Sequence, residues 1–119
     1  MRGFLSILFL AILASCTNDP RDNVNATPSE QSNIIPREQF VEIMSDIQLI
    51  EAAAKNKVFK NDDETLKLKE AYSEIFAKHG ITQEQFQESH RWWWTHPNAM
   101  RSILLEVTER LSQMEASNS

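Results

Sequence analysis

The sequence predicts an all-α fold, a small bundle of about four amphipathic helices, and three observations carry that expectation. Apolar residues recur at spacings of four and three, as in Phe40, Met44 and Ile47 and again in Met100, Leu104, Val107, Leu111 and Met114. No stretch shows the strict apolar/polar alternation of a half-buried strand. Only two glycines occur in 119 residues, and Gly80 stands where an amphipathic stretch ends. A bundle over residues 35 to 115 is the economical solution.

The first helix is expected to open at Pro36, which suits an opening turn, with Glu38 near the positive end of the helix dipole. Its apolar stripe runs Phe40, Met44, Ile47, Glu51, Ala54, widened by Ile43 and Ile50. Asn61, Asp62 and Asp63 offer caps for a second helix. That helix should bury Leu68, Tyr72, Ile75, Phe76 and His79, turn Lys67, Glu70, Glu74 and Lys78 to water, and stop at a left-handed Gly80. Thr82 and Gln85 form a capping box for the third helix, with Ile81 and Phe86 placed as a hydrophobic staple. Pro97 disfavours helical geometry at His96 and opens the fourth helix, with Ile103 beside its stripe and Glu106, Glu109 and Gln113 outside.

Ahead of the bundle lie two segments of different character. Arg2, an apolar stretch from Phe4 to Ala14, and small residues before Cys16 have the layout of a secretory signal over residues 1 to 15. The run Leu13-Ala14-Ser15-Cys16 resembles the lipobox of bacterial lipoproteins. That resemblance implies lipidation of Cys16, the sole cysteine, and cleavage before it. No disulfide is then expected. From Thr17 to Asn33 the composition turns to Asn, Asp, Ser, Thr and Pro, too polar to offset the entropy of ordering. Residues 16 to 34 are therefore expected to form a flexible tether, and 116 to 119 a disordered tail. The tether would reach roughly 55 to 60 Å at full stretch. Asn25-Ala26-Thr27 fits the glycosylation pattern, but Pro28 follows it and the leader is of bacterial type.

Net charge is −5, and becomes −6 once Arg2 leaves with the leader. An acidic chain has no attraction for phosphate backbones, so no nucleic acid partner is expected. After the leader no apolar run approaches the roughly 20 residues of a spanning helix.

Two features break the helical pattern and are the candidate site residues. Glu51 falls within about 20° of Phe40 on the helix circumference, so its carboxylate is expected to be partly buried. It then needs a donor such as Tyr72, a tryptophan N–H, Ser89 or an arginine. It is either a satisfied core group, a ligand-binding or catalytic group, or a side chain that a helix end lets reach water. Trp92, Trp93 and Trp94 fan over about 200°, more than one buried face can hold. They are candidates for packing, for a binding surface, or for contact with lipid headgroups. His79, His90 and His96 lie in different turns and make no zinc-hydrolase pair. His79 is expected to answer the negative end of its own helix, and Glu38, Glu42 and Asp46 to form a solvated face. No catalytic residue, metal or cofactor is expected.

Pro36 through Phe40 and Val41, Asp46-Ile47-Gln48-Leu49 with Glu51-Ala52, His79-Gly80-Ile81-Thr82 leading to Phe86 and Ser89, and an aromatic pair before His96-Pro97 occur in that order. In this order, from Ile35 to Leu111, the chain resembles a family of small lipoproteins from the Bacteroidota whose helical domain is of unknown function. That family usually carries tyrosines where this chain has tryptophans. The resemblance implies an envelope lipoprotein with a helical domain and brings no activity. The resulting expectation is a non-catalytic binding or adaptor module, anchored to the membrane through Cys16 and docking on an envelope protein. The alternative is a small-ligand binder with Glu51 in the pocket. The periplasmic face of the outer membrane is preferred over the cell surface or the inner membrane.

Overall fold

Helical periodicity, caps and breaks produce four helices in the computed structural model, which describes residues 22–55 and 64–117. They are α1 (Arg37–Lys55), α2 (Glu64–Lys78), α3 (Gln83–Trp94) and α4 (Pro97–Ser117), and no strand occurs among the described residues. The expected leader, Cys16, residues 17–21 of the tether, the Asn61–Asp63 caps and residues 118–119 lie outside the described residues. Among the described residues no helix is long and apolar enough to cross a membrane.

Each stop and start has a local cause. Gly80 takes φ +66°, the Ile81 N–H reaches back to the Phe76 carbonyl at 3.0 Å and the Gly80 N–H to that of Ala77 at 3.1 Å. That is the paired closure of a helix by a left-handed glycine, with Ile81 brought back over Phe76. Thr82 then accepts the Gln85 N–H at 3.0 Å as N-cap of α3. The expected capping box closes only on this side, because the Gln85 side chain donates instead to the Asn33 carbonyl at 3.1 Å. Thr95 ends α3 and Pro97 opens α4, whose first turn closes from Met100 N–H to the His96 carbonyl.

α1 packs against α4 on one side and α2 on the other, and α3 packs against α4 and α2. Two covered sides explain why α1 buries more than one stripe: Val41 and Ser45 join Phe40, Ile43, Met44 and Ile47, with the Ser45 hydroxyl donating to the Val41 carbonyl. The core is completed by Ile75, Phe76, Trp93, Ala99, Met100, Ile103 and Val107. Arg37 ties α1 to α4, donating to Glu106 at 3.2 Å and Ser102 at 2.9 Å.

Four expectations are corrected here. Asp46 is not on a solvated face: its carboxylate holds Lys78 at 3.2 Å and the nearly buried His79 imidazole at 2.8 Å, joining α1 to the end of α2. His79 therefore answers a carboxylate on a neighbouring helix rather than its own helix end. The tether ends sooner than expected. From Asp22 onward the polar residues make their own turns, with Asn23 accepting the Ala26 N–H on its carbonyl and the Asn25 N–H on its side chain, and Ser29 and Ser32 closing a second turn. Pro28 is buried and Ala26 packs on the core. Ile35 is fully buried, its N–H donating to Ser89 Oγ at 2.8 Å and its carbonyl accepting the Trp93 indole N–H at 3.1 Å. Polarity predicted entropy there; local side-chain acceptors and contact with α3 and α4 offset it. The helix likewise continues to Ser117, through part of the expected tail.

Candidate functional site

The three tryptophans separate by direction. Trp93 is fully buried, stacked on Phe40 with ring centroids 6.0 Å apart. It is removed from the candidate binding surface, since Ile35 and Phe40 cover the face it presents. Trp92 is half-buried, edge-on to Trp93 and stacked at 4.1 Å on His96, whose Nδ1 lies 2.9 Å from the Trp92 carbonyl. Trp94 is 52% exposed.

Glu51 is also exposed, which overturns its expected burial. A helical wheel places it near Phe40 in angle but ignores length. The 12 residues of α3 extend roughly 18 Å against roughly 28 Å for the 19 of α1, and burial along α1 stops at Ile47. Past Ile47 α1 is covered only in part, with Ile50, Ala53 and Ala54 half-buried, and there the helix end lets Glu51 reach water. The Tyr72 hydroxyl donates to Glu51 Oε1 at 2.5 Å, the donor expected from the sequence. Burial, then the hydrogen bond to Glu51 and its charge, push the Tyr72 phenol up to about 12. It stays a neutral donor at any physiological pH.

Trp94 and Glu51 lie on the same cleft. A volume of about 590 Å³ opens between α1, α2 and α3, with Met44, Ile47 and Phe86 as apolar lining and Glu51, Arg91 and Trp94 among the polar and aromatic groups around it. His90 joins the cleft to the core: its ring stands 6.4 Å from Phe40 and 5.9 Å from Phe86, and its Nε2 accepts the Trp94 indole N–H at 2.9 Å. A second, more apolar groove of about 710 Å³ runs between α2 and α3 past Leu68, Phe76 and Ile81 and shares Tyr72, Phe86 and Gln87 with the first. Sequence reasoning singled out Glu51 and Trp94 separately. It missed Arg91 and Gln48, which carry no signal beyond being polar on exposed turns. His96 lies with Trp92, outside the cleft that His90 and Glu51 line. Among the described residues no group of three potential metal ligands occurs.

The arrangement can grip a ligand that is apolar in the middle and charged at its edges. An exposed indole held by a neutral imidazole gives a rigid apolar wall, while Glu51 and Arg91 present opposite charges.

His90 makes that wall sensitive to acid. Burial holds its imidazole below the ordinary 6.5. A histidine depressed in the folded state contributes stability that is complete above pH 6.5 and lost as pH falls through the lowered value. Protonation also removes the lone pair that receives the Trp94 N–H. A proton NMR titration should show His90 with a midpoint below 6.5 and Trp94 emission changing with the same midpoint. Trp94→Ala, which uncovers the ring, should move the midpoint back up. A His90 midpoint at or above 6.5 would contradict this geometry.

A family model described as a domain of unknown function (DUF4296) matches residues 32–117. No curated protein and no solved structure matches the chain.

Proposed function

We propose that this chain, which belongs to the family described as a domain of unknown function (DUF4296), is a non-catalytic binding module of the cell envelope. In this reading lipid on Cys16 holds it to the membrane, at the periplasmic face of the outer membrane, as in the Bacteroidota lipoproteins its motifs resemble. Its partner is another envelope protein, which inserts a segment carrying an apolar side chain flanked by charges into the cleft between α1 and α3. Nucleic acid is not a partner, for an acidic chain repels it.

The observation that carries the proposal is Trp94, a large indole more than half exposed yet fixed in orientation by His90, beside Glu51 and Arg91 at an apolar cleft. Tryptophan and arginine in such a setting dominate binding energies. Photo-crosslinking through Gln87 in intact cells should trap one envelope protein. Trp94→Ala should weaken its capture by at least about 2 kcal/mol, roughly thirtyfold, with the melting temperature nearly unchanged. If Trp94→Ala and Glu51→Gln both retain the same partner at full strength, the cleft is not the docking site.

The cleft volume favours a second reading, since about 590 Å³ lies within the range of small-molecule sites. A ligand there would protect His90 and Trp94 in the isolated domain with no partner protein present.

A further inference from the structure

We infer that Val24, Arg101 and Leu105 form the face on which the domain rests against the bilayer that holds its own anchor. This rests on the proposed lipid at Cys16 and deepens it from attachment to orientation.

The chain is pinned much closer to Cys16 than its composition suggests. Asn98, in the first turn of α4, donates its backbone N–H to both carboxylate oxygens of Asp22 at 3.2 Å and its side-chain amide to the Asp22 carbonyl at 3.3 Å. The Asp22 carboxylate thus caps the positive end of α4. Only the five residues Thr17 to Arg21 separate Cys16 from Asp22. Six steps of chain reach at most roughly 20 Å, whatever their conformation. A lipid on Cys16 therefore confines the Asp22 end of α4 to that distance from the headgroups, rather than the roughly 55 to 60 Å that a tether reaching Asn33 would allow.

The surface at that point suits the occupant. A depression beside Asp22 is lined by Val24, Arg101, Ser102 and Leu105. Leu105 is 66% exposed, the highest value among the large apolar side chains described, and Val24 is 47% exposed. A single exposed leucine is ordinary. Two apolar side chains beside a guanidinium that makes no ion pair among the described residues, next to the attachment point, match the chemistry of an interface where acyl chains meet phosphates. Glu109, one turn beyond Leu105, bounds the patch. The cleft opens between α1, α2 and α3, whereas this face belongs to α4 and the segment before α1, so seating leaves the cleft accessible to a partner.

The test uses the full chain expressed in cells and recovered in membranes. Leu105→Cys, Val24→Cys and Leu66→Cys variants are labelled with a thiol-reactive nitroxide and exposed to a water-soluble nickel chelate, and Cys16 is analysed by mass spectrometry in each sample. Leu66 is the control, for it is 55% exposed on α2, which does not touch α4. Nickel relaxation should be at least about threefold weaker at positions 105 and 24 than at 66, as side chains 5 to 10 Å into the interface require. Equal relaxation at all three positions, with Cys16 acylated, overturns the seat and leaves the anchor standing. A free thiol at Cys16 in protein that washes off the membranes brings down both.

Discussion

Trp93→Ala is expected to remove about 3 to 5 kcal/mol of stability, against the 5 to 15 kcal/mol that a domain has in total. The indole is fully buried, stacked on Phe40 and edge-on to Trp92, so its loss leaves a cavity among side chains that α1 and α3 hold in place. It also strips the donor from the buried Ile35 carbonyl, and an unsatisfied buried acceptor adds to the cost. Thermal and urea melts followed by circular dichroism should show an early, broadened transition. Trp94→Ala, one residue along but more than half exposed, should change the midpoint by less than about 1 kcal/mol. Comparable melts for the two variants would refute the separation of the tryptophans into core and cleft.

Phe40→Ala is expected to cost a similar amount, about 3 to 5 kcal/mol, for a different reason. Among the described residues Phe40 is the one ring that meets Phe86, His90 and Trp93 together, with centroids 6.0, 6.4 and 6.0 Å away, and so couples α1 to the inner face of α3. Removing it should loosen α3 over α1 and admit water to His90, raising that imidazole toward its ordinary value. Combined with Trp93→Ala the losses should be less than additive, because the two rings share one contact and the second cavity enlarges the first. Denaturant melts of the double variant check this; strict additivity would mean that the stacked pair is energetically independent.

Particular residues show how legible the fold and the site were in the sequence. Pro36, Gly80, Thr82 and Pro97 each mark a boundary within two residues of where the structure has it, since a cap or a missing N–H acts on its near neighbours alone. The partner of Glu51 was likewise within reach, for a carboxylate on α1 needs a donor and Tyr72 is the hydroxyl on the facing stripe of α2. Asp46 was not legible. Its neighbours along the helix, Glu38 and Glu42, are exposed, and only the crossing of α1 over the end of α2 sets it against His79 and Lys78. Residues 22 to 34 misled through composition. Asn, Ser and Pro signal disorder when counted, yet the same side chains close turns once Ile35 is fixed between Ser89 and Trp93.

The sequence by itself determined four helices, their caps and breaks, an acidic surface, and the two anomalies at Glu51 and the tryptophans. The tertiary structure alone decided that Trp93 is core while Trp94 edges a cleft, that Glu51 opens to water, and that Asp22 is held on the first turn of α4. The physical reason is that periodicity sets the direction in which a side chain leaves its helix, a local property of 100° per residue. What covers it depends on where the neighbouring helices lie, and beyond Ile47 no side chain of α1 is fully buried.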